Sequence, residues 1–154
     1  VAAALPDGAR VLAAEEDFTS VLFPFLAHAD RGVRVQEAVS LIERAVALDP
    51  ENGAYLDSLG WAHYHMGEYS EAAKHLERAV ELKPEDPTIN DHLGDAYWRV
   101  GRTLEAKFQW AHARDLKPEA EELPKIEAKI ANGLPEDTSS AASADKKKED
   151  GRGG

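Results

Sequence analysis

The sequence predicts an all-α chain built from repeated helix pairs. Two segments, 53–86 and 87–120, repeat one another at a fixed offset of 34 residues. Glycine and proline fall at regular points where helices should end. No stretch shows the apolar–polar alternation of a half-buried strand, and the aromatic share, 7%, fits helices better than a β-sandwich.

The offset is visible residue by residue. Leu59-Gly60 aligns with Leu93-Gly94, Gly67 with Gly101, and Glu71-Ala72 with Glu105-Ala106. Ala79 aligns with Ala113, and Leu82-Lys83-Pro84 with Leu116-Lys117-Pro118. A third copy is half visible upstream, because Glu37-Ala38, Ala45, Leu48 and Pro50 lie one offset before Glu71-Ala72, Ala79, Leu82 and Pro84. Its second helix is expected over 35–48. Its first helix would hold the apolar run 21–28, where Leu-Gly is missing and Pro24 tolerates a helix only in the first turn.

Each punctuating residue has a physical reason. Gly60 and Gly94 let the first helix of a pair approach the second where a Cβ would clash, and Ala72, Ala79, Ala106 and Ala113 do the same from the other side. Gly67 and Gly101 end first helices as C-cap glycines. Pro84 and Pro118 stop the second helices. Asp86-Pro87 reads as an N-cap followed by proline at the first helical position.

A 34-residue period carrying these residues resembles the tetratricopeptide-repeat (TPR) family. The phrases DSLGWA and DHLGDAYWRVGR resemble the C-terminal part of bacterial multi-repeat TPR proteins. One departure is His63, which stands where Tyr97 supplies the family's usual aromatic. The resemblance implies a right-handed solenoid of antiparallel helix pairs, and a protein-binding scaffold or adaptor rather than an enzyme.

The expected organisation follows from these repeats. Residues 1–18 form an N-terminal segment, a remnant of a preceding repeat; 19–50 are a degenerate repeat; 51–84 and 85–118 are full repeats. Residues 119–134 read as a capping helix that covers the apolar flank a terminal repeat exposes. Pro124 belongs in its first turn, Ile126 and Ile130 share its inner face, and Lys125 and Lys129 point outward. Asn132-Gly133 ends it and Pro135 prevents continuation. Residues 135–154 contain no aromatic or large aliphatic residue and read as a disordered tail. Lys146-Lys147-Lys148, flanked by acids, reads as part of that solvated tail.

Charge and chemistry narrow the function. A net charge of −11 repels a phosphate backbone and anionic lipid, so nucleic acid and direct membrane contact are not expected. Without cysteine the chain has no disulfide, thiolate metal site or thiol nucleophile. Pairs such as Glu71 and His75, or His92 and Asp95, have helical spacing but do not make a metal site, so no metal or other cofactor is expected. No Gly-rich phosphate loop precedes a helix, and no nucleophile–base pair is legible, so no catalytic residue is assigned. His63 is expected to be packed with one hydrogen bond. The first residues lack the basic and apolar segments of a signal peptide and lack Met, which suggests a fragment or processed chain and leaves a cytoplasmic or periplasmic compartment open.

The expected site is a helix face. Asp57, Trp61, Tyr64 and His65 fall at i, i+4, i+7 and i+8, and Asp91, Asp95, Trp98 and Arg99 repeat that spacing. In the TPR family this side lines the concave groove, apart from the packing face of Leu56, Leu59, Gly60, Leu93, Gly94 and Tyr97. Two readings stand for the tryptophans: a partner-binding patch, or packing against a neighbouring repeat or adjoining segment. As a groove, the acids and rings favour a protein or peptide partner with basic and apolar residues over an acidic tail. The other functional reading is a structural end of a longer solenoid, with partners bound upstream. The domain is expected to be monomeric or weakly associating.

Overall fold

The computed structural model describes residues 32–137, which form six helices and, among themselves, no strand. These are α1 (Gly32–Leu48), α2 (Gly53–His65), α3 (Tyr69–Leu82), α4 (Pro87–Arg99), α5 (Thr103–Asp115) and α6 (Leu123–Asn132). The pairs α2–α3 and α4–α5 fall within residues 51–84 and 85–118, α1 ends at Leu48, and α6 falls within 119–134. The N-terminal segment, the first helix of the degenerate repeat and most of the tail lie outside the described residues.

The helix ends use the residues the sequence marks. Asp86 accepts hydrogen bonds from the backbone N–H of Thr88 and Ile89, with Pro87 in the first turn of α4. Asn52 does the same for α2, taking the N–H of Ala54 and Tyr55. Gly67 and Gly101 adopt φ of +78° and +85°, a region open to glycine at little cost. Around each, two backbone bonds close a Schellman turn: Gly67 N–H to Tyr64 and Glu68 N–H to His63, then Gly101 N–H to Trp98 and Arg102 N–H to Tyr97.

Each helix packs on the next, and the first helices α2 and α4 also touch side by side. The pairs therefore stack as an all-α TPR solenoid. The close approach within each pair centres on glycine, but its partner is a large side chain rather than the expected alanines alone. A Cβ on Gly60 would lie 2.7 Å from Leu76 Cγ and 3.1 Å from the Ala72 carbonyl oxygen. A Cβ on Gly94 would enter the indole of Trp110. Leu76 and Trp110 occupy equivalent repeat positions, and both are fully buried. The largest core cluster joins Leu76, Leu93, Tyr97 and Trp110 with Ile126 of α6. Ile126 is 2% exposed, so α6 contributes a buried side chain to that core.

Replacing Gly94 by leucine forces a side chain into the plane of Trp110. Overpacking of this kind costs about 1–3 kcal/mol. The Gly94→Leu chain should unfold at a lower denaturant concentration than the parent; an unchanged midpoint in a urea titration would contradict the packing described.

Candidate functional site

The residues expected to share a face are held in contacts across α2, α4 and α6. On α2, Trp61 stacks on Tyr64 with centroids 4.7 Å apart, meets His65 edge-on at 4.9 Å, and stacks on His92 of α4 at 3.9 Å. Trp61 and Tyr64 are half-buried and His65 is exposed. Trp98 is half-buried and tilts against Trp110 at 5.5 Å. Each tryptophan ring packs internally and each keeps part of its surface outside.

The acids differ from the expectation. Asp57 is 3% exposed, and its Oδ1 accepts a 2.8 Å hydrogen bond from the Nδ1–H of His92. Asp95 is 6% exposed; Trp110 donates its indole N–H to Oδ1 at 2.8 Å. The ammonium of Lys129 lies 2.7 Å from Asp91 Oδ2 and 2.8 Å from Asp95 Oδ1. Lys129 was expected to point outward; its side chain is instead 18% exposed and turned toward α4. The reason is electrostatic. Two half-sequestered carboxylates four residues apart repel one another, and a cation from α6 offsets both while the long methylene stem stays packed. The expected acids are thus engaged inside the layer, one lysine lying between Asp91 and Asp95 and one histidine on Asp57.

Arg99 is also engaged. Its Nε–H donates to the Tyr64 hydroxyl at 3.2 Å, and an Nη1–H donates to the Pro135 carbonyl at 2.6 Å. Pro135 stands where the disordered tail was expected to begin. The backbone after α6 turns at Gly133, with φ of +73°, and passes so close to Trp98 that a Cβ there would enter the ring. Leu134 packs against the main core, and Tyr69 donates its hydroxyl to Asp137. Sequence reasoning missed Trp110, Lys129, Tyr69 and 133–137. Trp110 was open to detection, since it shares a repeat position with Leu76. The others act across elements and leave no periodic trace.

The environment moves several ionisation equilibria. Burial lowers the pKa of His92, but the charge of Asp57 and the hydrogen bond to it, with Asp91 and Asp95 behind, outweigh burial and raise it above the ordinary 6.5. Burial raises Asp95, and Lys129 pulls it back only in part. Lys129 is raised because Asp95 and Asp91 together outweigh its desolvation. His63 meets the expectation of a packed residue with one hydrogen bond, its Nδ1 2.6 Å from Glu68 Oε2. Among the described residues no group of three His, Asp or Glu side chains converges.

Comparison with known proteins agrees with the fold. The family model of the TPR repeat matches residues 60–101. A TPR repeat-containing protein of Pseudomonas aeruginosa is 46% identical over 44 residues, 29% of this chain. That stretch is only 8% of the relative's length. Among solved structures, the type III secretion translocator chaperone SycD of Yersinia enterocolitica superposes with a TM-score of 0.61 at 18% identity, over 75% of this chain and 83% of that one. The second TPR domain of human RPAP3, solved with an HSP70 peptide, superposes with a TM-score of 0.60 at 21% identity, over 77% and 92%.

Two predictions follow from the pairing. Lys129→Met leaves Asp91 and Asp95 without their counter-charge, a change worth about 3 kcal/mol by analogy with broken buried ion pairs; calorimetry near neutral pH should show a lower melting temperature, and an unchanged one would refute the pairing. For His92, a raised folded pKa stabilises the fold fully below 6.5 and loses that contribution as pH rises through the higher folded value. The groups facing it are Asp57, Asp91, Asp95 and His65. The stability difference between the parent and His92→Asn should therefore shrink from mildly acid to alkaline pH; a gap that widens would reverse the assignment.

Proposed function

Because the chain is a TPR-repeat protein, we propose that it is a protein-interaction module, and that it holds a peptide or protein segment on the concave side formed by α2, α4 and α6. The observation that carries this reading is the set of aromatic side chains Trp61, Tyr64, His65 and Trp98, which pack on one another or on the core and still keep part of their surface exposed. Aromatic surface that is fixed by stacking loses little conformational entropy when a partner covers it, and it supplies most of the energy of such contacts.

The buried acids take a supporting part. Asp57 holds His92 flat beneath Trp61, and Asp95 holds Trp110 behind Trp98. They orient the rings, and contact with the ligand falls to the rings, His65 and Arg99. The solved relatives add support through what they hold: the RPAP3 domain takes an HSP70 peptide, and SycD has been solved with a peptide of the translocator YopD. The Lys129-anchored cap favours a second reading as well, in which these repeats end a longer solenoid whose partners bind upstream.

A peptide-library selection on the purified chain discriminates the two. The binding reading expects selected peptides of micromolar affinity, about −8 kcal/mol, weakened strongly by Trp61→Ala with the helical circular dichroism retained. Failure to select any peptide, or selected peptides indifferent to Trp61→Ala, would leave the structural reading.

A further inference from the structure

The segment 133–137 leaves α6 and crosses the ends of three other helices. Gly133 lies flat on the Trp98 ring. Leu134 is partly buried and packs against the main core cluster. The Pro135 carbonyl accepts from the Arg99 guanidinium at 2.6 Å. Asp137 accepts from the Tyr69 hydroxyl at the start of α3. Tyr64 joins the two donors, since its hydroxyl accepts from Arg99 and its ring meets Tyr69 edge-on at 5.1 Å. The receiving surface thus draws on α2, α3 and α4 together.

This segment does not hold α6 in place. The helix ends at Asn132, and its attachment lies upstream in Ile126 and Lys129. Pro135 and Glu136 are exposed. The contacts beyond the helix have the form of peptide recognition: backbone close against a ring, an apolar side chain on the core, a backbone carbonyl on a guanidinium, and a carboxylate on a phenol. Burial, then the hydrogen bond and charge of Asp137, push Tyr69 up to about 12, so its hydroxyl stays a donor throughout the physiological range.

We propose that Tyr64, Tyr69, Trp98 and Arg99 form a receptor for an extended acidic peptide of the kind apolar–Pro–acid–acid, and that residues 133–137 are its intramolecular occupant, displaced when a partner peptide binds. The proposal rests on the interaction-module reading and names the ligand for one end of that face. A tethered occupant competes at high effective concentration, so the intact chain binds an external peptide only in proportion to the fraction in which the segment is released.

The test uses a fluorophore-labelled synthetic peptide of residues 133–137, read by fluorescence polarisation. It is titrated into the intact chain, the intact chain carrying Gly133→Ala, and a chain ending at Asn132. Alanine at 133 cannot lie on Trp98 without overlapping it, so this variant frees the surface with the tail still present. Both altered chains should bind roughly tenfold more tightly than the intact chain, the intact chain being reduced by its occupied fraction. Arg99→Ala in the shortened chain should abolish the gain, and a peptide with Lys in place of Glu136 and Asp137 should not bind. Equal binding to the three chains, no binding to any, or equal binding of the Lys peptide would overturn the proposal. If the shortened chain does not fold, the Gly133→Ala comparison decides alone. Should the library selection yield Trp61-dependent ligands that bind intact and opened chains equally, this inference falls while the interaction reading stands.

Discussion

The indole of Trp110 over Gly94, with its N–H on Asp95, is the contact on which the rest of this face depends. The missing Cβ at Gly94 admits the largest side chain of the core, which is fully buried. A buried indole N–H needs an acceptor, and Asp95 supplies it from the same helix as Gly94, one residue further on. That places a carboxylate in a desolvated site, which is costly unless a cation meets it. Lys129 does so, and its arrival fixes how α6 lies against α4. The path after α6 is then constrained to run over Trp98. A packing requirement inside one repeat thereby sets the position of the cap and of the segment beyond it.

The same logic explains why the two repeats differ. In the first, Gly60 faces Leu76, an apolar partner with no hydrogen-bond demand. The position equivalent to Asp95 is then free to be Trp61, one offset earlier in the sequence. Trp61 uses that freedom to stack on His92, which in turn is held by Asp57. Each repeat therefore satisfies one buried polar pair across the first-helix layer, but with different residues: Asp57 with His92 between α2 and α4, and Asp95 with Lys129 between α4 and α6. Such pairs add register more than net stability, because desolvation cancels much of the Coulomb gain.

The proposed function follows from this division between what is locked and what is open. The acids are sequestered and orient the rings, and the exposed edges of Trp61, Tyr64, His65 and Trp98 remain for contact. Charge along the primary sequence suggested a basic ligand, whereas the atoms that receive the chain's own segment, Arg99 and Tyr69, are donors suited to carbonyls and carboxylates. An overall charge of −11 says little about a site whose acids are paired inside and whose donors hold a carbonyl and a carboxylate of the chain's own segment.

By itself the sequence determined the helix pairs, their ends and the site's residue types. Those features are local or periodic: Gly67 and Gly101 must adopt positive φ, Asp86 must cap, and Gly60 and Gly94 must face a neighbour at each offset of 34. The placement of Trp61, Tyr64, Trp98 and Arg99 on one side was legible for the same reason, because helical spacing fixes which residues share a face. Only the tertiary structure decided how those residues are used. Whether Asp95 meets solvent or Trp110, and whether Lys129 points out or in, depends on desolvation and on partners from other helices, and helical phase alone carries neither. The contact of 133–137 with Trp98, Arg99 and Tyr69 belongs to the same class: its composition lacks large apolar residues apart from Leu134, and it is held by a surface that exists only once α2, α3 and α4 have packed.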